Sequence, residues 1–248
     1  MITTTRIRTD LSSRWKMHSF KRFLEHHTDS LTRRFGLSEA TVMRREMLAE
    51  YRALIPQVPY IGGRRNPWNS NLDATPMGLA VYRIVLRHGG SAQDAGEVVV
   101  SYADRMIERV PRRLRPRLLA PRRSVAEKEA RWSQQRRYPD DWVAAIVDGT
   151  AQPFDFGMDV TECAILKFMR AHGAEEFTPY LCHVDYITAE AAGTGLTRTK
   201  TLAWGCDCCD FRFTNPGTTT ATWPPEFPER SCGQPAAPAT RVQSLAPE

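Results

Sequence analysis

Apolar side chains along the first half of the chain recur at helical steps. Phe20, Phe23, Leu24, His27 and Leu31 fall three or four residues apart and define one amphipathic face. A second helix is expected from the cap Ser38 through "EATVMRREMLAEYRAL" to Leu54. "IPQVPYIGGRRNPWN" then breaks the pattern. Pro56, Pro59, Gly62 and Gly63 punctuate a loop that Tyr60, Ile61 and Trp68 can anchor. Thr75 before Pro76 reads as an N-cap with proline at the first helical position, opening a helix that Gly89 and Gly90 close. Ser91 caps the next helix. Three prolines interrupt "PRRLRPRLLAPRR", and the S-x-x-E of Ser124 and Glu127 predicts a further capped helix.

After Pro139 the period changes to that of strands. "WVAAIVDG" and "FDFGMDVTE" are β-branched or aromatic and are separated by turn residues, as in an antiparallel pair. "CAILKFMRAHG" and "FTPYLCHVDYITAEAAG" return to helical spacing, and "LTRTKTLAWG" and "CDFRFT" read as two more strands joined by a cysteine-rich turn. The expected fold class is α+β, with an N-terminal helical region and a small antiparallel sheet with packed helices in the order ββααββ. Three segments follow: helices over 1–137 within one compact unit, a cysteine-containing α/β core over 138–214, and an irregular, mobile Pro/Thr-rich tail over 215–248.

Composition narrows the class. With 42% hydrophobic and 25% charged residues in 248, the chain is globular. No apolar run reaches the roughly 18 residues that span a bilayer, so no membrane partner is expected. The basic, hydroxyl-rich N-terminus lacks a signal-peptide core, which points to the cytoplasm and to reduced thiols rather than a disulfide framework. Charge is uneven. Between Arg105 and Arg137 stand eleven arginines and Lys128 against Glu108, Glu127 and Glu129, a local +9 that leaves −3 for the rest of a chain of net +6. Such a block is a solvated helix face, a holder of carboxylates or a nucleic-acid surface; having no glycine and only Trp132 for stacking argues against the last.

Chemistry concentrates in "LAWGCDCCDFRF". Strand alternation places Cys209 on one face with Phe211 and Phe213, and Cys208, Asp210 and Arg212 on the other. Cys206 and Cys209 form a C-x-x-C able to chelate a metal or act as a redox pair, with Cys163, Cys182 or His183 as further ligands. Cys163 precedes a helix whose dipole would favour its thiolate. On a helix, Cys182 and Asp185 share a face while His183 points about 100° away, so the alternative to a site is a core Cys182 beside a surface His183. Cys232 stands alone in the tail.

"YRALIPQVPYIGGRRN", "ECAILKFMRAHG", "YLCHVDY" and "LTRTKTLAWGCDCCDFRF", in this order and spacing, resemble the L-2-amino-thiazoline-4-carboxylic acid hydrolase family over about residues 45–214. The C-terminal half also distantly resembles vinyl-reductase-type ligand-binding domains. The resemblance covers Cys163, Cys182, Asp185, Arg198, Thr201, Gly205, Cys209, Asp210 and Phe211, and the loop Pro59–Gly63 with Asn66; Cys206 and Cys208 stand outside it. It implies hydrolytic opening of a non-peptide C–N bond in a cyclic amidine or amide, to a carbamoyl-cysteine product in members bearing the name. Water or a cysteine thiolate would attack the ring carbon, with the catalytic candidates Cys163, Cys182 and Cys209 lining the pocket and Asp185 or Asp210 moving protons. Alternatively the same three thiols would hold a divalent zinc or manganese that activates water. Arg198, Thr201, Tyr60, Asn66 and His183 are the expected substrate contacts, Arg198 holding a substrate carboxylate unless it is a surface arginine. The loop at 56–66 either caps the pocket or merely connects helices. A non-catalytic ligand or metal sensor and a dimerisation scaffold are the rival readings, and a homo-oligomer stays open.

Overall fold

The computed structural model describes residues 15–25, 29–219, 223–225 and 232. His27 and most of the tail lie outside them. Helix α1 covers residues 15–25 and is followed by α2 (Asp29–Phe35), α3 (Leu37–Leu54), α4 (Asn69–Arg87), α5 (Ala92–Glu108), the single turn α6 (Arg115–Leu118) and α7 (Arg123–Ser133). The second half runs β1 (Val143–Asp148), β2 (Phe156–Glu162), α8 (Ala164–Ala171), α9 (Thr178–Ala192), β3 (Gly195–Thr197) and β4 (Cys209–Thr214). This is the α+β class and the ββααββ order that the pattern predicts. The four strands form one antiparallel sheet in the order β1-β2-β4-β3.

The helical periodicity translates into burial. Phe20, Phe23, Leu24 and Leu31 are buried together with Met43, Met47, Tyr51 and Leu54 of α3 and Leu72, Leu79 and Ile84 of α4, in a hydrophobic cluster continuous with the sheet. On the sheet, Val160 faces Cys209, Met158 faces Phe211 and Phe156 faces Phe213. These cross-strand pairs make one apolar face, and the other carries the Arg212–Asp159 ion pair at 2.7 Å.

Local signals misplace several helix starts. Gly36, not Ser38, precedes α3 and makes no side-chain cap. Helix α4 begins at Asn69, with Pro76 inside it; burial of Leu72, Thr75, Pro76 and Leu79 outweighs the one ladder bond that proline forfeits. Helix α7 starts at Arg123 without a side-chain cap, and Glu127 binds Arg123 instead of closing a box with Ser124. Ser91, by contrast, forms the reciprocal box with Asp94. β3 is shorter than expected because the N–H groups of Thr199 and Lys200 bond the Asp210 carboxylate at 2.8 and 2.6 Å.

The basic block spans the end of α5 to α7. Arg105, Arg123, Arg131 and Arg136 pair with carboxylates, while no described carboxylate pairs with Arg109, Arg112, Arg113, Arg115, Arg117 or Arg122.

Between α3 and α4 the glycine loop is fitted to its neighbours. Gly62 has φ +105°, and a Cβ there would meet the Trp132 ring at 2.8 Å. Ile61 and Trp68 anchor the loop as expected; Tyr60 is exposed, its ring lying beside Gly63 and edge-on to Tyr138.

Candidate active site

The site is built by α9, the turn into α8 and the loop before β4. On α9, Cys182, Asp185 and Tyr186 stand at i, i+3 and i+4 and share a face. Arg198, just past β3, reaches this face from the other side. Its Nε donates to the Tyr186 hydroxyl (3.1 Å), one Nη to Asp185 Oδ2 (3.3 Å) and the other to the Cys182 carbonyl (3.2 Å). The rings of Tyr186 and Phe211 lie 4.5 and 4.8 Å from the guanidinium carbon. Its side chain is 1% exposed, so neither a surface arginine nor an open carboxylate clamp describes it. Burial acts to lower its pKa, and the charge of Asp185 with the other acidic neighbours outweighs that, so the guanidinium is held above its usual value.

Asp185 has the opposite character. Its side chain is 48% open, yet desolvation by the surrounding protein raises its pKa despite Arg198. The carboxylate is thus reachable, has its basicity raised and is held on one side by a buried cation.

Two further cysteines, Cys163 and Cys209, lie near enough to Cys182 to add to the rise in its pKa. Cys163 occupies the N-cap position of α8, where the dipole was expected to favour a thiolate. Burial wins: it pushes the Cys163 thiol up to about 11, although the N–H groups of Leu166 and Ile165 and the Trp142 indole pull the other way. Burial also holds the Cys182 thiol far above the usual range, Arg198 notwithstanding. Cys209 points from the apolar sheet face to the loop, where the Leu202 N–H donates to its sulfur at 3.2 Å and the Thr201 hydroxyl lies at 3.4 Å.

Other expected site residues sit elsewhere. Asp210 faces the opposite way, both carboxylate oxygens engaged by Thr199 and Lys200. Asn66 is buried with its amide used up: Nδ2 donates to Ile61 O and Asp141 Oδ2, and Oδ1 accepts from Trp68 N. That is a connector's hydrogen bonding. Replacing Asn66 by Ala leaves the Asp141 network short of a donor and is expected to cost about 1–3 kcal/mol in stability with an unchanged KM; denaturant melts and substrate titration read the two effects separately. His183 is buried, not on the surface. Burial and then Arg198 depress its pKa, and the ring meets Trp223 edge-on at 5.3 Å and lies 6.3 Å from Tyr186.

Cys206 is bonded to Cys232. This corrects two sequence expectations, that the thiols are all reduced and that Cys206 and Cys209 chelate as a pair; Cys208 remains free. Among the described residues no three His, Cys, Asp or Glu side chains come together as a metal-binding group, so the Cys163, Cys182 and Cys209 arrangement does not fit a zinc or manganese site as it stands. Tyr186, Trp142, Leu202 and Trp223 were not anticipated. Tyr186 was findable, since it stands four residues after Cys182 on a helix.

An α+β protein with a half-open aspartate paired to a buried arginine, and with free cysteines nearby, is the class that fold and site define. The chain belongs to the L-2-amino-thiazoline-4-carboxylic acid hydrolase family, whose profile matches residues 74–213. The matched residues include the whole candidate site and leave out the glycine loop. Searches of curated proteins and of solved structures found no match. No helix among the described residues is long and apolar enough to cross a membrane.

Proposed function

We propose that the protein is a hydrolase that opens a small cyclic amidine or amide, a thiazoline carboxylate or a close analogue, at a non-peptide C–N bond by direct attack of water, with Asp185 as the general base. The observation that carries this reading is the contrast between Asp185 and the thiols. With a pKa of about 11, only about one Cys163 side chain in ten thousand is ionised at pH 7, and Cys182 is ionised less still. Asp185 is open and has its basicity raised. Water therefore finds a base more readily than substrate finds a thiolate.

In the step itself, the water oxygen forms a bond to the amidine or amide carbon as one of its protons passes to Asp185. The π pair of the C=N or C=O bond moves to its nitrogen or oxygen, which takes that proton from Asp185; in the collapse a hydroxyl of the tetrahedral adduct returns a proton to Asp185 and becomes a carbonyl, the ring C–N bond breaks, and the leaving nitrogen takes that second proton from Asp185. Arg198 keeps the carboxylate oriented and balances its charge. Cys163 and Cys182 serve as uncharged neighbours of the reacting groups, and Cys209, held by Thr201, packs beside them. The family description supports a substrate bearing a carboxylate.

The test is turnover of 2-amino-thiazoline-4-carboxylate, with product followed by mass spectrometry and free-thiol release, on protein as purified and after chelation or addition of manganese or zinc. Chelation-insensitive ring opening is the expected outcome. Activity only with added metal would restore metal-activated water, and saturable binding without product would favour a ligand sensor.

A further inference from the structure

The chain beyond β4 is fastened to the elements that carry the site. Gly217 N donates to Gly193 O at 2.9 Å. The Thr219 hydroxyl donates to Thr194 O and accepts from Leu196 N, both at 2.6 Å, and is itself buried. These bonds fix the residues that immediately precede Arg198. Farther on, the Trp223 ring stands edge-on to Tyr180 at 5.7 Å and to His183 at 5.3 Å, on the helix that bears Cys182 and Asp185. Helix α5 leaves room for it: a Cβ on Gly96 would come within 2.7 Å of the Trp223 ring and 2.5 Å of Tyr180. Cys232 closes the path by its disulfide to Cys206, whose N–H bonds the Thr201 carbonyl at 3.2 Å beside Cys209.

Taking the proposed role of Asp185 and Arg198 as given, we infer that Trp223 is a positioning residue for this site. Together with Gly217 and Thr219 it clamps the Thr194–Arg198 segment and α9 in the geometry that pairs Arg198 with Asp185. The Cys206–Cys232 disulfide sets how firmly the clamp holds. A reducing dithiol would open it. The dithiol supplies two electrons and two protons, the Sγ–Sγ bond breaks, Cys206 and Cys232 each gain an S–H, and the dithiol closes into its own cyclic disulfide. A clamp that depends on one covalent tie converts thiol redox state into the orientation of a buried cation, with no change at any residue that meets substrate.

The full-length protein tests this in five forms: oxidised, reduced with dithiothreitol, Cys232→Ser, Trp223→Ala and its conservative partner Trp223→Phe. Two readouts are needed, amide hydrogen exchange over residues 194–198 and the pH profile of kcat/KM for ring opening. Reduction, Cys232→Ser and Trp223→Ala should each speed exchange at Leu196 by roughly tenfold or more. They should also move the acid limb of the profile to higher pH as Arg198 loosens from Asp185, and Trp223→Phe should restore both. Unchanged exchange and an unmoved acid limb in the reduced and Trp223→Ala forms would overturn the inference, as would free Cys206 and Cys232 thiols in oxidised protein of unaltered activity. If no form turns over substrate, the proposed function fails while the exchange rates still decide whether the clamp exists.

Discussion

Replacing Asp185 by Asn lowers kcat/KM for ring opening by roughly 10²–10⁴, the usual contribution of a positioned general base, with little change in fold. Asparagine keeps the size and can still meet Arg198, so the loss isolates proton transfer. The pH dependence carries the same signature. Asp185 must be deprotonated to accept a proton from water, and its pKa is raised by burial. The activity of the parent protein therefore falls as pH drops through a value above the ordinary aspartate range, and that limb disappears from what remains in the Asn variant. Cys182→Ser is the control. Because the Cys182 thiol is protonated, the serine variant should keep activity within about tenfold, whereas a nucleophile's loss costs far more. Initial-rate profiles of the three proteins from pH 4 to 9 decide the matter.

The second large effect is on stability and comes from Arg198→Met. The guanidinium makes three hydrogen bonds and lies against two aromatic rings at 1% exposure. Removing it takes the cation from beside Asp185 and leaves that carboxylate uncompensated, and the Tyr186 hydroxyl loses its partner. Breaking a fully buried pair costs about 3–5 kcal/mol; Asp185 is half open, so the lower end applies, about 3 kcal/mol. For a domain of this size that corresponds to roughly 6–12 °C in Tm. Since Arg198 opposes the rise in the Asp185 pKa, its loss also shifts any residual activity to higher pH. Arg198→Lys keeps the charge but not the fork or the stacking, and falls between. An unchanged melting temperature in the Met variant would show that the pair contributes little.

Particular residues show what the sequence made legible. The steps of Phe20, Phe23, Leu24 and Leu31, and the alternation of Cys209, Phe211 and Phe213, report burial directly, because a helix or strand repeats its buried side at a fixed period. The fold class and the strand and helix order rest on that. Helix starts rest on single side chains, and there tertiary burial overrode the local signal. Pro76 is tolerated within α4 because the residues around it are core, and Ser124 is passed over because Glu127 has Arg123 to bind.

Within the site, helical spacing brought Cys182 and Asp185 together, and the resemblance added Cys163, Arg198 and Cys209. Sequence could not rank desolvation against the α8 dipole at Cys163, because the first depends on everything that encloses the sulfur and the second only on its neighbours along the chain. It also could not pair Cys206 with Cys232 across 26 residues, since spacing does not determine connectivity. Asp210 and Asn66 illustrate the same point. Both have the right chemistry, but their hydrogen bonds are spent on Thr199, Lys200, Ile61, Trp68 and Asp141.

The central claim, water attack assisted by Asp185 with Cys163 and Cys182 protonated, is tested most directly by acid-quenching the enzyme during turnover of 2-amino-thiazoline-4-carboxylate and measuring intact protein mass and product in the same samples. The account predicts product accumulating over many turnovers while the protein keeps its unmodified mass. A stoichiometric adduct on the peptide holding Cys163, Cys182 or Cys209, formed and lost at the rate of turnover, would contradict it and make a cysteine the nucleophile.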